Sequence, residues 1–184
     1  MRTLARYVCI MWLSVTSTVG CAAQPPISPV ANVDLPRYMG DWYVIASIPT
    51  TQERDAVNAV ESYVLQPDGR IGTTFRFRRD SPNGEAKTMH ATGYVREGTS
   101  NAVWGMQFIW PIKAEYIVAW LDPQYRTVIV ARNKRDYVWI MARTPAIADA
   151  QYELLVSRVV ALGYDASKLR KVPQQWGSAA PVSP

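Results

Sequence analysis

Thiols and imidazole are scarce in this chain of 184 residues, which holds two cysteines, Cys9 and Cys21, and one histidine, His90. So few cysteines exclude a disulfide-stapled scaffold, and the core must hold by packing. One histidine excludes His/Cys metal spacing, and His90 has no motif partner to make it a general base. It alternates with Met89 and Ala91, which places it on the outward face of an extended segment. Neither a glycine-rich phosphate loop nor a Gly-x-Ser-x-Gly elbow occurs, so no catalytic residue, cofactor or metal site is indicated. Excess charge is lacking too. Setting aside Arg2 and Arg6 leaves 18 basic against 15 acidic residues. They are scattered along the chain and leave no nucleic-acid footprint. Long hydrophobic runs are also missing. The longest, from Tyr7 to Val19, has about 13 residues, short of the roughly 20 that a membrane-spanning helix needs.

That run has another use. With Arg2 and Arg6 before it, residues 1–20 read as an export signal. It ends Thr18-Val19-Gly20-Cys21, which resembles the lipobox of bacterial lipoproteins, where the cysteine becomes a lipidated N-terminus. Ala22 stands where that class carries Asp for retention in the inner membrane. The resemblance therefore implies anchoring through Cys21 at the periplasmic face of the outer membrane. Plain signal-peptidase cleavage near Ala22-Ala23 is the alternative. Residues 21–34, with Pro25, Pro26 and Pro29, read as an extended tether able to span a few tens of ångströms at roughly 3 Å per residue. The end of the chain, from Gln174 and assigned as a tail over 176–184, reads as disordered.

What the chain has is alternation. Candidate strands lie near 42–48, 57–66, 70–79, 86–97, 102–110, 115–122, 125–132 and 136–143. Turn signals such as Pro67-Asp68-Gly69, Pro82-Asn83-Gly84 and Asn133-Lys134-Arg135 separate them. Short strands with short turns predict an all-β, eight-stranded up-and-down antiparallel barrel, whose interior holds side chains or one small ligand. Face assignment follows from period two. Trp104, Met106, Phe108 and Trp110 share one side. Ile71, Thr73, Phe75 and Phe77 oppose a wet face carrying Arg76 and Arg78. Around 136–143 both faces are largely apolar, so an external cover is expected. A C-terminal α-helix over 149–162 supplies it, with Leu154, Leu155, Val159 and Leu162 as the packing stripe. A short segment up to Val172 allows a ninth edge strand.

Three separated motifs then carry a family resemblance. They are Gly40-Asp41-Trp42 within Leu35–Ala46, Asp122-Pro123-Gln124-Tyr125, and Arg143 within Trp139–Pro145. Over residues 35–175 the chain resembles a lipocalin, specifically the bacterial outer-membrane lipocalin lipoprotein branch. In a meander Trp42, Asp122, Tyr125 and Arg143 fall at one end. They read as a structural plug in which Arg143 stacks on Trp42. The mouth is then the other end, and Val44, Ala46 and Met89 point toward its pocket.

The ligand-binding residues expected there are Glu61, Tyr63, Phe75, Phe77, Trp104, Met106, Phe108, Trp110, Tyr116, Val118 and Trp139. Lys113, with Arg79 and Arg135, is expected at the rim to meet a phosphate. Glu61, inward by alternation, meets a polar part of the ligand or sits in water at the rim. The resemblance implies a binding protein, not an enzyme, for a fatty acid or lysophospholipid in the cell envelope. A lipid-modifying enzyme on the same barrel and a structural protein with a filled barrel are the alternatives. Oligomeric state is left open, a homodimer included.

Overall fold

The structure is a computed structural model and describes residues 24–176; the readings made on residues 1–20, Cys21 and 177–184 lie outside the described residues. The chain enters along the barrel wall and forms a short helix, α1 (Leu35–Tyr38), before the strands begin. Asp34 caps α1 by accepting from the Arg37 N–H, and Pro36 sits in its first turn. Both are ordinary helix-start chemistry. Eight strands follow: β1 (Gly40–Ile48), β2 (Ala56–Leu65), β3 (Ile71–Arg79), β4 (Ala86–Val95), β5 (Val103–Ile109), β6 (Ile112–Leu121), β7 (Thr127–Ala131) and β8 (Val138–Ala142). Each pairs antiparallel with the next, and β1 pairs with both β8 and β2, which closes the barrel. After β8 come α2 (Asp149–Ala161), a single 3-10 turn at Ala166–Lys168, and β9 (Arg170–Lys171) on β1.

Two apolar layers result. The interior layer includes Trp42, Val44, Tyr63, Phe75, Phe77, Trp104, Met106, Tyr116, Val118 and Met141. The outer layer lies beneath α2, where fully buried Leu155 and Val159 cover Ile45, Ile129, Ile140 and Ala142. The expected stripe needs one correction. Leu154 is half exposed, because one residue advances about 100° around a helix and only its neighbour faces the sheet. A bulge between Val44 and Ala46 shifts the register of β1 against β8. Ala46 therefore joins the outer layer instead of pointing into the barrel.

The seam between β1 and β2 is ordered by the C-terminal segment. Gly40–Tyr43 pairs with β2, but Ala46 and Ser47 pair with β9 instead. Where the two strands part, β2 carries a register shift between Val57 and Val60, and Asn58 takes a left-handed φ of 52°. Gln174 donates from its side chain to Val44 O (2.9 Å) and Ala59 O (3.1 Å). Asn58 exchanges hydrogen bonds with Gln175, and Trp176 meets the Tyr43 ring edge-on at 5.7 Å. Residues 174–176 are thus built into the wall, contrary to the disorder expected of them. Buried backbone carbonyls at a parted seam need donors, and a glutamine amide supplies two.

The expected tether also differs. Residues 24–34 lie along the barrel, not free of it. Ile27 and Val33 are buried, and the Ile27, Val30 and Val33 N–H groups donate to Asn133 Oδ1, Val118 O and Ser100 O. Pro29, between the first two anchors, lacks the N–H that an extended strap leaves unpaired.

Candidate ligand cavity

At one end of the barrel the three motifs meet. The Arg143 guanidinium lies 3.8 Å from the centre of the Trp42 ring. It donates to Asp41 O (2.9 Å), Arg37 O (2.8 Å), Tyr38 O (3.0 Å) and Tyr125 O (3.3 Å). Trp42 is fully buried and donates its indole N–H to Tyr38 O at 2.9 Å. Gly40 has φ +91°, and a Cβ there would lie 3.4 Å from Arg143 Nη1. Glycine at this position lets the backbone approach that arginine closely. Asp122 accepts from the Arg126 backbone and guanidinium, which holds its carboxyl below the usual range. Tyr125 accepts from the Asp34 N–H at 2.8 Å and lies under Arg37. Every donor and ring here is committed to backbone or to another motif, so this end is shut.

Above the plug the barrel is filled by aromatic rings. Trp104 and Tyr116 stack at 4.7 Å with their planes 3° apart, and Tyr38 and Tyr63 each meet Trp104 edge-on. Their hydroxyls form a chain. Tyr38 and Tyr116 share a bond of 2.7 Å, Tyr116 and Tyr63 share one of 2.9 Å, and Tyr63 donates to Glu61. Burial pushes all three tyrosines up.

Above the rings opens a cavity of about 540 Å³, lined by residues including Glu61, Met89, Met106, Phe108, Ala114, Tyr116 and Trp139. Loop residues Thr50–Glu53 and Arg132, Tyr137 and Ile109 complete its mouth. The size and the mostly apolar walls with a few polar groups are those of a small-ligand site. Both readings of the interior thus hold, each for half the barrel: filled below, open above.

Glu61, Glu53, Glu115 and Arg132 border this space. Burial pushes the Glu61 carboxyl up to about 7, against the opposing hydrogen bond from Tyr63 and with help from nearby Glu53. Burial also raises Glu53, which accepts from Trp139 Nε1 at 3.0 Å. Arg132 is the cation. Its Nη1 lies 3.3 Å from Asp136, its side chain is 16% exposed, and its buried Nε has no hydrogen-bond partner.

Of the residues expected in the pocket, Glu61, Met106, Phe108, Tyr116 and Trp139 line it. Tyr63, Trp104 and Val118 lie in the filled half, and Phe75 packs against Phe77 at 5.1 Å within the interior layer. Two residues need correction. Trp110 is 82% exposed, because β5 ends at Ile109 after a register shift that began past Met106. Lys113 projects outside the barrel, its stem over Gly105 and its ammonium 3.6 Å from the Tyr94 ring. Arg135 is likewise occupied, donating to Leu162 O, Asn133 O and Pro25 O. Arg79 is exposed at the end of β3. Sequence reasoning chose Lys113, Arg79 and Arg135 at the rim and not Arg132. Its place just after β7, in step with inward Val128 and Val130, was the available signal.

A closed antiparallel barrel, sealed at one end and hollow and apolar at the other, defines a container for a small hydrophobic molecule. Residues 33–174 match the family model of a lipocalin-like domain. The chain belongs to the lipocalin family, whose members are in general binding proteins for hydrophobic ligands rather than enzymes. It is 33% identical to temperature-induced lipocalin-1 of Arabidopsis thaliana, over 79% of this chain and 81% of that one. It is 31% identical to the outer membrane lipoprotein Blc of Escherichia coli K12, over 87% of this chain and 91% of that one. Among solved structures, insecticyanin from the tobacco hornworm Manduca sexta superposes with a TM-score of 0.64 at 17% identity, covering 82% of this chain and 86% of that one.

Proposed function

We propose that this lipocalin holds the acyl chain of a fatty acid or lysophospholipid and does so at the periplasmic face of a bacterial outer membrane. The observation that carries the ligand reading is the cavity of about 540 Å³ above the aromatic floor, with Met89, Met106, Phe108, Ala114 and Trp139 on its walls. Each methylene moved from water into such a space contributes about 0.8 kcal/mol. Arg132, with its unpartnered buried Nε at the mouth, suits a carboxylate or phosphate head group. The envelope reading rests on the export signal over residues 1–20, on the lipobox-like Val19-Gly20-Cys21, and on relatives named outer membrane lipoproteins. In it Cys21 carries lipid and residues 21–34 connect it to the barrel.

Native mass spectrometry of the protein extracted from membranes tests the ligand. A bound fatty acid or lysophospholipid is expected. The protein emerging empty, with no affinity for a fluorescent fatty acid, would overturn the reading. Labelling with radioactive fatty acid tests the anchor, and label persisting in Cys21→Ser would refute it.

A further inference from the structure

The most exposed apolar surface of the described residues is a single hairpin tip. Between β5 and β6, Phe108 is 49% exposed, Ile109 74%, Trp110 82% and Ile112 70%. Pro111 lies between them. Phe108 and Ile109 also line the cavity, so the tip forms part of the mouth's rim. An exposed run of this kind marks an interaction surface.

The course of the N-terminal strap says what lies against it. The strap runs from the mouth end to the closed end. Pro25 O accepts from Arg135 at 2.6 Å, and Ile27 N–H donates to Asn133 Oδ1 at 2.7 Å. Both partners sit in the β7–β8 turn, at the mouth. Asn133 in turn donates to Glu115 of β6 from its backbone (2.7 Å) and its amide (2.8 Å). Glu115 is three residues along the strand from Ile112, so the strap begins beside the apolar tip. Three Cα–Cα steps separate Cys21 from Gln24, where the described chain starts, and they reach at most about 11 Å. A lipid on Cys21 therefore holds the mouth, not the closed end, against the bilayer.

We propose that the β5–β6 tip is a second membrane contact, in which Trp110 and Ile112 enter the interfacial layer of a phospholipid bilayer and the cavity mouth opens toward it. Tryptophan flanked by aliphatic side chains favours that layer. Charge plays a small part. Exposed residues of the mouth-end segments include the cations Arg54, Arg79, Lys113 and Lys134 and the acids Asp55, Asp80 and Glu85, a nearly even balance. Docking by apolar insertion is accordingly insensitive to salt, whereas docking by attraction to anionic lipid is screened. The orientation rests on the anchor proposed above, but the tip itself does not, and the two are separable by experiment.

Two measurements test it. In lipidated full-length protein reconstituted into vesicles, lipids brominated just below the head group should quench part of the tryptophan emission, and Trp110→Phe should abolish that part. In addition, the chain from residue 21 onward carrying Cys21→Ser, which contains the whole described barrel, should co-float with phosphatidylethanolamine/phosphatidylglycerol vesicles at low and high salt. Trp110→Asp with Ile112→Asp should lower its partition at least tenfold. Binding of a fluorescent fatty acid in vesicle-free buffer should persist in that variant, since neither side chain lines the cavity. Equal partition of the double variant, or no quenching traceable to Trp110, overturns the proposal. So does a concentration-dependent dimer abolished by the double variant without vesicle binding, which would assign the tip to a second copy of this chain.

Discussion

Glu61 should make this protein less stable as the pH rises from mildly acidic to neutral. Its folded carboxyl holds a proton up to about pH 7, while its ordinary value is 4.5. Between those two values the folded state binds more protons than the unfolded chain, so stability falls with rising pH. The stabilisation is fully present below pH 4.5 and fully lost above 7. At 1.36 kcal/mol for each tenfold change in proton affinity, the loss is about 3 kcal/mol. Its origin is geometric. The carboxyl faces an apolar cavity, receives one hydrogen bond, from Tyr63, and has Glu53 as a like-charged neighbour.

Glu61→Gln keeps the shape and removes the titration. Urea unfolding of both proteins at pH 4.5, 6 and 8 should show the variant gaining about 3 kcal/mol on the wild type between the extremes. Any fixed cost of the amide cancels in that comparison, and Glu53 titrates in both. A difference constant to within about 0.5 kcal/mol across the range would refute the burial of Glu61. An acyl chain lying over the same carboxyl should feel its charge too. Fatty-acid affinity should weaken several-fold between pH 6 and 8 in the wild type and stay level in the variant.

Arg143→Met should cost roughly 3–4 kcal/mol in urea unfolding, through the lost donors to Arg37 O, Asp41 O and Tyr125 O, one of two donors lost at Tyr38 O, and the lost stack on Trp42. Arg143→Lys should recover less than half, because an ammonium cannot span that fork. Fatty-acid affinity should hold in both, and a fall in affinity with stability intact would place the ligand at the wrong end. Gln174→Ala should cost about 1–3 kcal/mol and speed amide exchange at residues 56–60, since Val44 O and Ala59 O lose their donor. Leu155→Ala should cost about 2–5 kcal/mol and Leu154→Ala under about 0.5, a contrast that reads out which leucine faces the sheet.

Regular strands were legible because period two carries the face assignment without further information. Trp104 and Met106 point inward as alternation requires, and Val138, Ile140 and Ala142 lie under α2. Reading failed where one residue was inserted. The register shifts after Val44 and after Met106 turn Ala46 outward and leave Trp110 in solvent, and neither shift has a glycine to announce it. Loop contributions were illegible for another reason. Glu53 reaches the cavity only because Trp139, 86 residues later, offers its indole N–H. The signal for α1 was present in Asp34 and Pro36 but was absorbed into the motif that follows it.

Composition misled at both ends of the described chain, and for one physical cause. Proline-rich residues 24–34 and polar residues 174–176 have too few large apolar side chains to look folded. Each instead fastens itself by backbone and amide hydrogen bonds to groups that the barrel leaves unpaired: Val118 O, Asn133 Oδ1, Val44 O and Ala59 O. Such segments gain order from the barrel's unmet donors and acceptors, which no local pattern records. The strap then has a consequence beyond stability. It is pinned at Asn133 and again at Ser100, so the first described residues of the strap lie at the mouth. A free tether would let the barrel tumble beneath the membrane. Under the Cys21 anchor proposed above, the pinned strap turns the mouth toward the membrane, and that end carries the cavity, Arg132 and the exposed Trp110.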